Sequence, residues 1–295
     1  MLLAIDIGNT NTVIGIFDNK GDNTKAGAVS ISGHSIFPEI SFGENTRVQG
    51  LISAFRISTL APRTADELAI VFTNILEFIQ IDVYSGKDII TNGIIDAISV
   101  ASSVPQALSD MLVMLRRLFD VPIVVADYSV AGDMNICYQP PQDVGPDRIV
   151  DALAAKDLYG TPAIVVDLGT ATTFDVISPQ GDYLGGAIIP GLVISQNALA
   201  AKAAALRNVE LKAPSKAIGT STMESIQSGL IFGHVAMIEG MCAKIEKELG
   251  AEANLVITGG LAQVVVNDLG RKFIHEPWLT LYGLKLVYDK SHTRK

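Results

Sequence analysis

Two segments of the chain carry the same chemistry in the same order. Near the start, Asp6-Ile7-Gly8-Asn9-Thr10-Asn11-Thr12 leads into the apolar run Val13–Phe17. In the second half, Asp167-Leu168-Gly169-Thr170-Ala171-Thr172-Thr173 leads into Phe174-Asp175-Val176-Ile177. Each reads as a strand ending in an acid, a tight glycine-containing turn carrying hydroxyls, and a second strand. Glycine at such a turn lets the backbone come close to a ligand. The turn N–H groups and threonine hydroxyls can donate to phosphate oxygens, and the aspartate can hold a metal ion or its water shell. Occurring in both halves, the two turns suggest a duplicated fold that clamps a nucleotide triphosphate between its lobes.

Other residues could take part, each with a plainer alternative. Asp147, in Gly145-Pro146-Asp147-Arg148, stands where a helix begins. The macrodipole favours an anion there, which equally describes ordinary helix chemistry. Arg148 offers a planar fork to a carboxylate or forms a surface ion pair. Tyr138 can line a ligand pocket or simply pack. Thr222, after Gly219-Thr220-Ser221, can contact a ligand or cap a helix. Gly259 and Gly260 can admit a nucleotide to the backbone or form a plain turn. Cys137 and Cys242 lack CxxC spacing, and the four histidines lack HExxH spacing, so neither set points to metal binding.

The chain has 295 residues, 48% of them hydrophobic and 18% charged, with mean hydropathy +0.36. That richness fits strands buried on both faces, in two domains or one large one. A net charge of −9 argues against a nucleic-acid partner but leaves room for ATP, which needs only local donors. Met1–Ile5 meets Asp6 at once, with no basic flank, and reads as a first strand rather than a signal peptide. Gly, Pro and Asp interrupt every apolar run before transmembrane length, so no membrane partner is expected and the cytoplasm is the expected compartment.

Strands and helices alternate, as an α/β fold requires. Residues 2–7 and 12–17 read as a hairpin. Thr64 and Glu67 form a capping box ahead of a helix with Leu68, Val71, Phe72, Ile75, Leu76 and Ile79 on one face. Strands are expected at 97–101, 123–126, 163–167, 173–177, 183–189 and 254–257. Helices are expected at 105–119, 145–159, 192–206, 222–249 and 279–288. Residues 19–50, rich in Gly, Ser and Asn, read as a long surface excursion.

Taken in order, these motifs resemble those of type III pantothenate kinases, within the acetate kinase/sugar kinase/Hsp70/actin superfamily. The residues that carry the resemblance are Asp6–Thr12, Arg63–Leu68, Gly145-Pro146-Asp147-Arg148, Asp167–Ala171, Gly185-Gly186 through Pro190-Gly191, and Thr258-Gly259-Gly260. Pro146 stands where the family usually has Ala, a substitution a helix's first position tolerates. Gln139-Pro140-Pro141 stands where the family usually has Asn-Pro. The 19–50 segment looks like an insertion.

The resemblance implies two related actin-like (ribonuclease H-like) lobes with a nucleotide cleft between them, over residues 1–158 and 159–295, the last helix returning to the first lobe. It implies phosphorylation of pantothenate by ATP with Mg²⁺ and a monovalent cation (K⁺ or NH₄⁺), in a homodimer. Asp147 then matches the catalytic base. Asp6, Ile7, Gly8, Asn9, Thr10, Asn11, Thr12, Val13, Thr170, Gly259 and Gly260 match the ATP site. Tyr138, Gly145, Pro146, Asp147, Arg148 and Thr222 match the pantothenate site. Asp6 is assigned to Mg²⁺ and Asp167 to K⁺. A non-catalytic regulatory accessory of the same family, or a kinase for another small hydroxylated acid, is the alternative. No GxxxxGK[ST] and no GxGxxG after the first strand is present, which argues against a P-loop kinase and a Rossmann dehydrogenase.

Overall fold

The computed structural model describes residues 1–18, 47–78, 84–85, 88–89, 95–202 and 208–293. The expected excursion at 19–50 lies outside them except for its last four residues. In the first half β1 (Leu2–Ile7), β2 (Asn11–Phe17) and β3 (Leu51–Ser58) precede α1 (Ala65–Phe78) and a two-residue pair, β4 (Tyr84–Ser85) and β5 (Asp88–Ile89). Then come β6 (Ala97–Ser102), α2 (Pro105–Leu118), β7 (Ile123–Val125) and α3 (Pro146–Tyr159). The second half has β8 (Ala163–Leu168), β9 (Ala171–Ile177), β10 (Tyr183–Pro190), α4 (Leu192–Lys202) and α5 (Thr222–Leu249). It closes with β11 (Asn254–Thr258), α6 (Ala262–Val265), β12 (Ile274–His275) and α7 (Leu279–Thr293).

The two halves build the same sheet. One has strand order β3-β2-β1-β6-β7, the other β10-β9-β8-β11-β12. In each, the first three strands are antiparallel neighbours and the remaining ones join in parallel. The central strands β1 and β8 are buried on both faces, at Leu2–Ile5 and Ala163–Val166. This is why they read as continuous apolar runs rather than alternating ones.

Local signals place the helices. The Thr64 N–H donates to Glu67 Oε2 at 2.8 Å, and the Glu67 N–H to Thr64 Oγ1 at 3.3 Å, closing the expected capping box before α1. Leu68, Phe72 and Leu76 of α1 are buried, packed with Met111, Met114 and Leu115 of α2 against the first sheet. Pro146 is the first residue of α3, where its missing N–H costs no helical bond. Gly250 ends α5 at φ 65°, a left-handed conformation natural to glycine.

Two expectations are corrected, and one strand is added to those expected. Leu51–Ser58 is a full edge strand, although it follows the excursion and gives no clean alternation. Ser221, not Thr222, caps α5: its side chain accepts from the Glu224 N–H at 3.2 Å, while the Thr220 N–H and hydroxyl both donate to Glu224. And α5, at 28 residues, is long and apolar enough by length and composition to cross a membrane. In this fold its Ile226, Leu230, Ile231, Val235 and Ile238 pack into the second sheet's core.

The last helix of each half lies on the other half's sheet. Helix α7 packs on β1, β2 and β6, whereas α3 packs on β8 and β9 while also touching β6. The two helices cross tightly at Gly283 of α7, where a Cβ would run into the Val150 carbonyl of α3. That crossing fixes the two hairpin turns relative to each other.

Candidate active site

Between the sheets lies a cleft of about 370 Å³, within the range of small-ligand sites. Its walls include Asp6, Gly8, Asn9, Thr10, Asn11 and Val13 from the first hairpin, and Asp167, Gly169, Thr170 and Thr173 from the second. Asp147, Gly259 and Gly260 complete the expected residues that line it. Each turn closes on a glycine N–H: that of Gly8 donates to the Asn11 carbonyl, three residues on, and that of Gly169 to the Ala171 carbonyl, two residues on, each at 3.0 Å. Their tips meet across the cleft, with Thr10 Oγ1 and Thr170 Oγ1 2.8 Å apart.

Ile7 and Thr12 point the other way. Both are buried and line a smaller hollow of about 140 Å³ behind the hairpin, between the loop that follows β3 and α2. Strand alternation requires this, because neighbours of cleft-facing residues face the opposite side. Thr12 is tied there to Thr59, hydroxyl to hydroxyl, at 2.8 Å. Only main-chain groups of Ile7 and Thr12 could serve a ligand in the cleft.

Tyr138, Gly145, Pro146, Arg148 and Thr222 do not line the cleft. Tyr138 packs over Gly185, where a Cβ would sit 3.1 Å from its ring. Gly145 caps α3 and is crowded by the Asp147 carboxylate, which also accepts from the Arg148 N–H at 2.9 Å. Arg148 is turned inward, its Nε donating to Asp175 Oδ1 at 2.7 Å. Thr222 is exposed at the start of α5.

The cleft is short of positive charge. Burial first, then the neighbouring Asp147 and Asp167, hold the Asp6 carboxyl well above the usual carboxylate range, with Arg56 opposing. Burial also raises Asp147, against the Arg148 N–H bond and the Arg148 charge. Asp167 is pushed up to about 7 by burial, then by Asp147 and Asp175. Asp151, one turn beyond Asp147, is raised by burial and by Asp167; Thr280 hydrogen-bonds it, yet its Oδ1 is buried with no partner among the described residues. A cation fits such a donor set. No three His, Cys, Asp or Glu side chains among the described residues converge to hold a metal by themselves, so an ion here would share its coordination with phosphate oxygens and water.

Sequence reading missed several of these groups. Arg56, facing Val13 across β2 and β3, is a cationic side chain on the cleft wall, and a lone charge inside an apolar strand was its only signal. His234 lies buried on α5 and meets Thr172 Oγ1 at 2.9 Å, behind the second turn; nothing in the sequence links residues so far apart. Gly259 has a structural duty besides any ligand contact: at φ 94° a Cβ would strike the Asp167 carboxylate.

The family model described as type III pantothenate kinase matches residues 39–244, more than half of the chain. A protein named type III pantothenate kinase from Streptomyces griseus is 40% identical over the whole of both chains. One from Thermobifida fusca is 38% identical over 99% of this chain and all of its own. The chain belongs to the type III pantothenate kinase family. Among solved structures, a Baf family protein from Campylobacter jejuni described as a transcriptional activator covers 99% of both chains, with TM-score 0.54 and 18% identity. Component A of the (R)-2-hydroxyglutaryl-CoA dehydratase from Acidaminococcus fermentans aligns over 100% of this chain and 99% of its own, with TM-score 0.51 and 13% identity. At such identities these two speak for the fold alone. The pantothenate kinase family thus accounts for the order of motifs, and the shared fold for the paired sheets.

Proposed function

We propose that this protein transfers the γ-phosphoryl group of ATP to the primary hydroxyl of pantothenate, giving 4′-phosphopantothenate and ADP in coenzyme A biosynthesis. The observation that carries the reading is the cleft itself. Two hydroxyl-bearing turns close on each other at Thr10 and Thr170, and the Asp147 carboxylate lies on the same wall. Phosphoryl transfer asks a protein mainly for positioning and charge compensation, and this arrangement offers both.

The turn N–H groups and the hydroxyls of Thr10 and Thr170 hold the phosphates. Gly259 and Gly260 let the strand end approach the nucleoside. Asp147 takes the proton from the attacking hydroxyl as its oxygen bonds to the γ-phosphorus and the bond to the β,γ-bridging oxygen breaks. Burial raises its pKa, which makes it a stronger base. Asp6 would hold Mg²⁺, which arrives with the nucleotide and supplies charge neutralisation on the phosphates. Asp167 would hold a monovalent cation, K⁺ or NH₄⁺. Tyr138, Gly145, Pro146, Arg148 and Thr222 form the pantothenate side, outside the nucleotide cleft, while Asp147 faces the cleft. The working enzyme is a cytoplasmic homodimer, its lobes spanning residues 1–158 and 159–295.

The test is formation of 4′-phosphopantothenate from ATP and pantothenate with Mg²⁺, in K⁺, NH₄⁺ or Na⁺. Product that depends on K⁺ or NH₄⁺ supports the whole reading. Product indifferent to the monovalent ion, or unchanged K⁺ stimulation in Asp167→Ala, removes the cation from Asp167. No product in any salt from folded protein overturns the kinase reading and leaves the regulatory accessory.

A further inference from the structure

Among the described residues, Arg56 is the one cationic side chain that lines the cleft, which also holds the acids Asp6, Asp147 and Asp167. It lies on β3, the edge strand of the first sheet, and pairs with Val13, which pairs in turn with Asp6. Residues directly opposite each other on neighbouring strands share a face. Asp6 and Arg56 therefore face the cleft from one row, two strand spacings or roughly 10 Å apart at the backbone. The arginine charge is felt at the buried Asp6 carboxyl. Arg56 itself is exposed and makes no hydrogen bond or ion pair among the described residues. Its guanidinium reaches the other half of the molecule: Nη1 lies 3.2 Å, and Cζ 3.7 Å, from where a Cβ on Gly260 would be.

The fold does not require this charge. The second sheet has the matching row Asp167, Thr173, Ile188, so an isoleucine stands where the first sheet has its arginine. A charge on an edge strand can guard against unwanted strand pairing, but that duty calls for a side chain turned to solvent, not one lying over Gly260. Phosphate binding does require a cation here. A triphosphate brings several negative charges into a cleft already lined by three acids, and a planar guanidinium matches phosphate oxygens.

We propose that Arg56 is a binding residue for the nucleotide phosphates. Its guanidinium, carried by the first sheet and lying on the bare Gly260 backbone of the second half, donates to phosphate oxygens, and Gly260 lacks a side chain to leave it room. This rests on the reading of the cleft as an ATP site and adds a cation that neither turn supplies.

The experiment is calorimetric binding of MgATP to the full chain at fixed K⁺, with ionic strength raised by tetramethylammonium chloride. In Arg56→Met the dissociation constant is expected to rise about 10–100-fold, the worth of a charge-assisted hydrogen bond. Its affinity should also fall less steeply with salt than that of wild type, because one screened attraction is gone. Arg56→Lys keeps the charge and loses the fork, so it should bind between the two with the wild-type salt dependence. Wild-type affinity in Arg56→Met, or a loss with unchanged salt dependence, overturns the proposal. Should Arg56→Met fail to fold, Arg56→Lys decides: a partial loss supports the proposal and wild-type affinity overturns it. Gly260→Ala should weaken ATP binding in wild type and not further in Arg56→Met, where no guanidinium is left to displace. Equal losses in both backgrounds overturn the part given to Gly260. Folded wild-type protein that binds no ATP overturns the nucleotide reading and this proposal together. Protein that binds ATP without phosphorylating pantothenate overturns the kinase reading alone, and the Arg56 variants still decide this proposal.

Discussion

The two hairpins differ most two residue pairs beyond the acids that open their turns. In the first, Asp6 pairs with Val13; in the second, Asp167 pairs with Thr173. Counting onward from these pairs sets Gly15 against Asp175. At Gly15 the crossing helix α7 presses in Leu281, whose Cδ1 would lie 2.7 Å from a Cβ. At Asp175 the crossing helix α3 presents Arg148. One residue earlier on each helix, Thr280 and Asp147 both line the cleft. The same architecture therefore holds a hydroxyl and an aliphatic contact on one side, and an acid and a buried ion pair on the other. A duplicated fold can stay symmetric in its backbone while its chemistry concentrates in one crossing helix, because the register fixes where a side chain points and not what it is.

The sharpest way to break this comparison is at the two helix starts. Asp147→Asn is expected to lower kcat by about 10²–10⁴-fold, the usual contribution of a general base, with ATP binding retained. Thr280→Val should not approach that loss. Turnover assays with calorimetric ATP binding decide it, and retained turnover in Asp147→Asn removes the residue from the base role.

Next comes the crossing itself. Gly283→Ala forces a Cβ into the rigid Val150 carbonyl and should cost about 1–3 kcal/mol or more of stability. Gly15→Ala meets only the movable end of Leu281 and should cost less. Urea unfolding of both variants checks the order, and a reversal would mean the helices part more easily than their packing indicates.

The acids of the two turns give a third test. Asp167, pushed up to about 7, keeps in the folded chain a proton that the unfolded chain releases above its ordinary value near 4. Stability is therefore drained as pH rises from about 4 to 7, by about 1.4 kcal/mol per pH unit while that proton difference lasts. Asp167→Asn cannot titrate, so it should gain on wild type as the pH rises over that window. Urea titrations without Mg²⁺ or nucleotide at pH 4.5 and pH 8 measure this; a difference that does not change with pH refutes it.

The smallest expected effect lies behind the turns. Thr59→Val removes one hydroxyl partner of Thr12 and should cost about 0.5–1.5 kcal/mol. His234→Phe leaves the Thr172 hydroxyl buried without its partner and should cost about 1–3 kcal/mol. Equal costs would show that the two turns are supported alike, despite a hydroxyl behind one and an imidazole behind the other.

Much of this organisation was legible before any coordinates. The acid-glycine-hydroxyl repeats marked both turns, because only a few residue types can make a turn so tight. The capping box at Thr64 and Glu67 and the proline at the start of α3 marked helix starts through local bonding rules. Other features left no such trace. Leu51–Ser58 has Arg56 inside it and lacks clean alternation, so the strand, and with it the cleft's arginine, went unread. Asp175 looked like one more acid in a strand, since its partner stands on a distant helix. Ser221 and Thr222 are equivalent caps by composition, and only backbone geometry separated them.

By itself the sequence determined the paired sheets, the two hydroxyl-bearing turns and the family, since these rest on local pattern: strand alternation, turn residues and the order of motifs. The tertiary structure decided which side chains share the cleft. It turned Ile7 and Thr12 to its rear, set Thr10 against Thr170, drew Arg148 onto Asp175 and crossed α3 with α7. Those outcomes depend on how two sheets and two helices pack, and packing joins residues whose separation along the chain carries no record of their meeting.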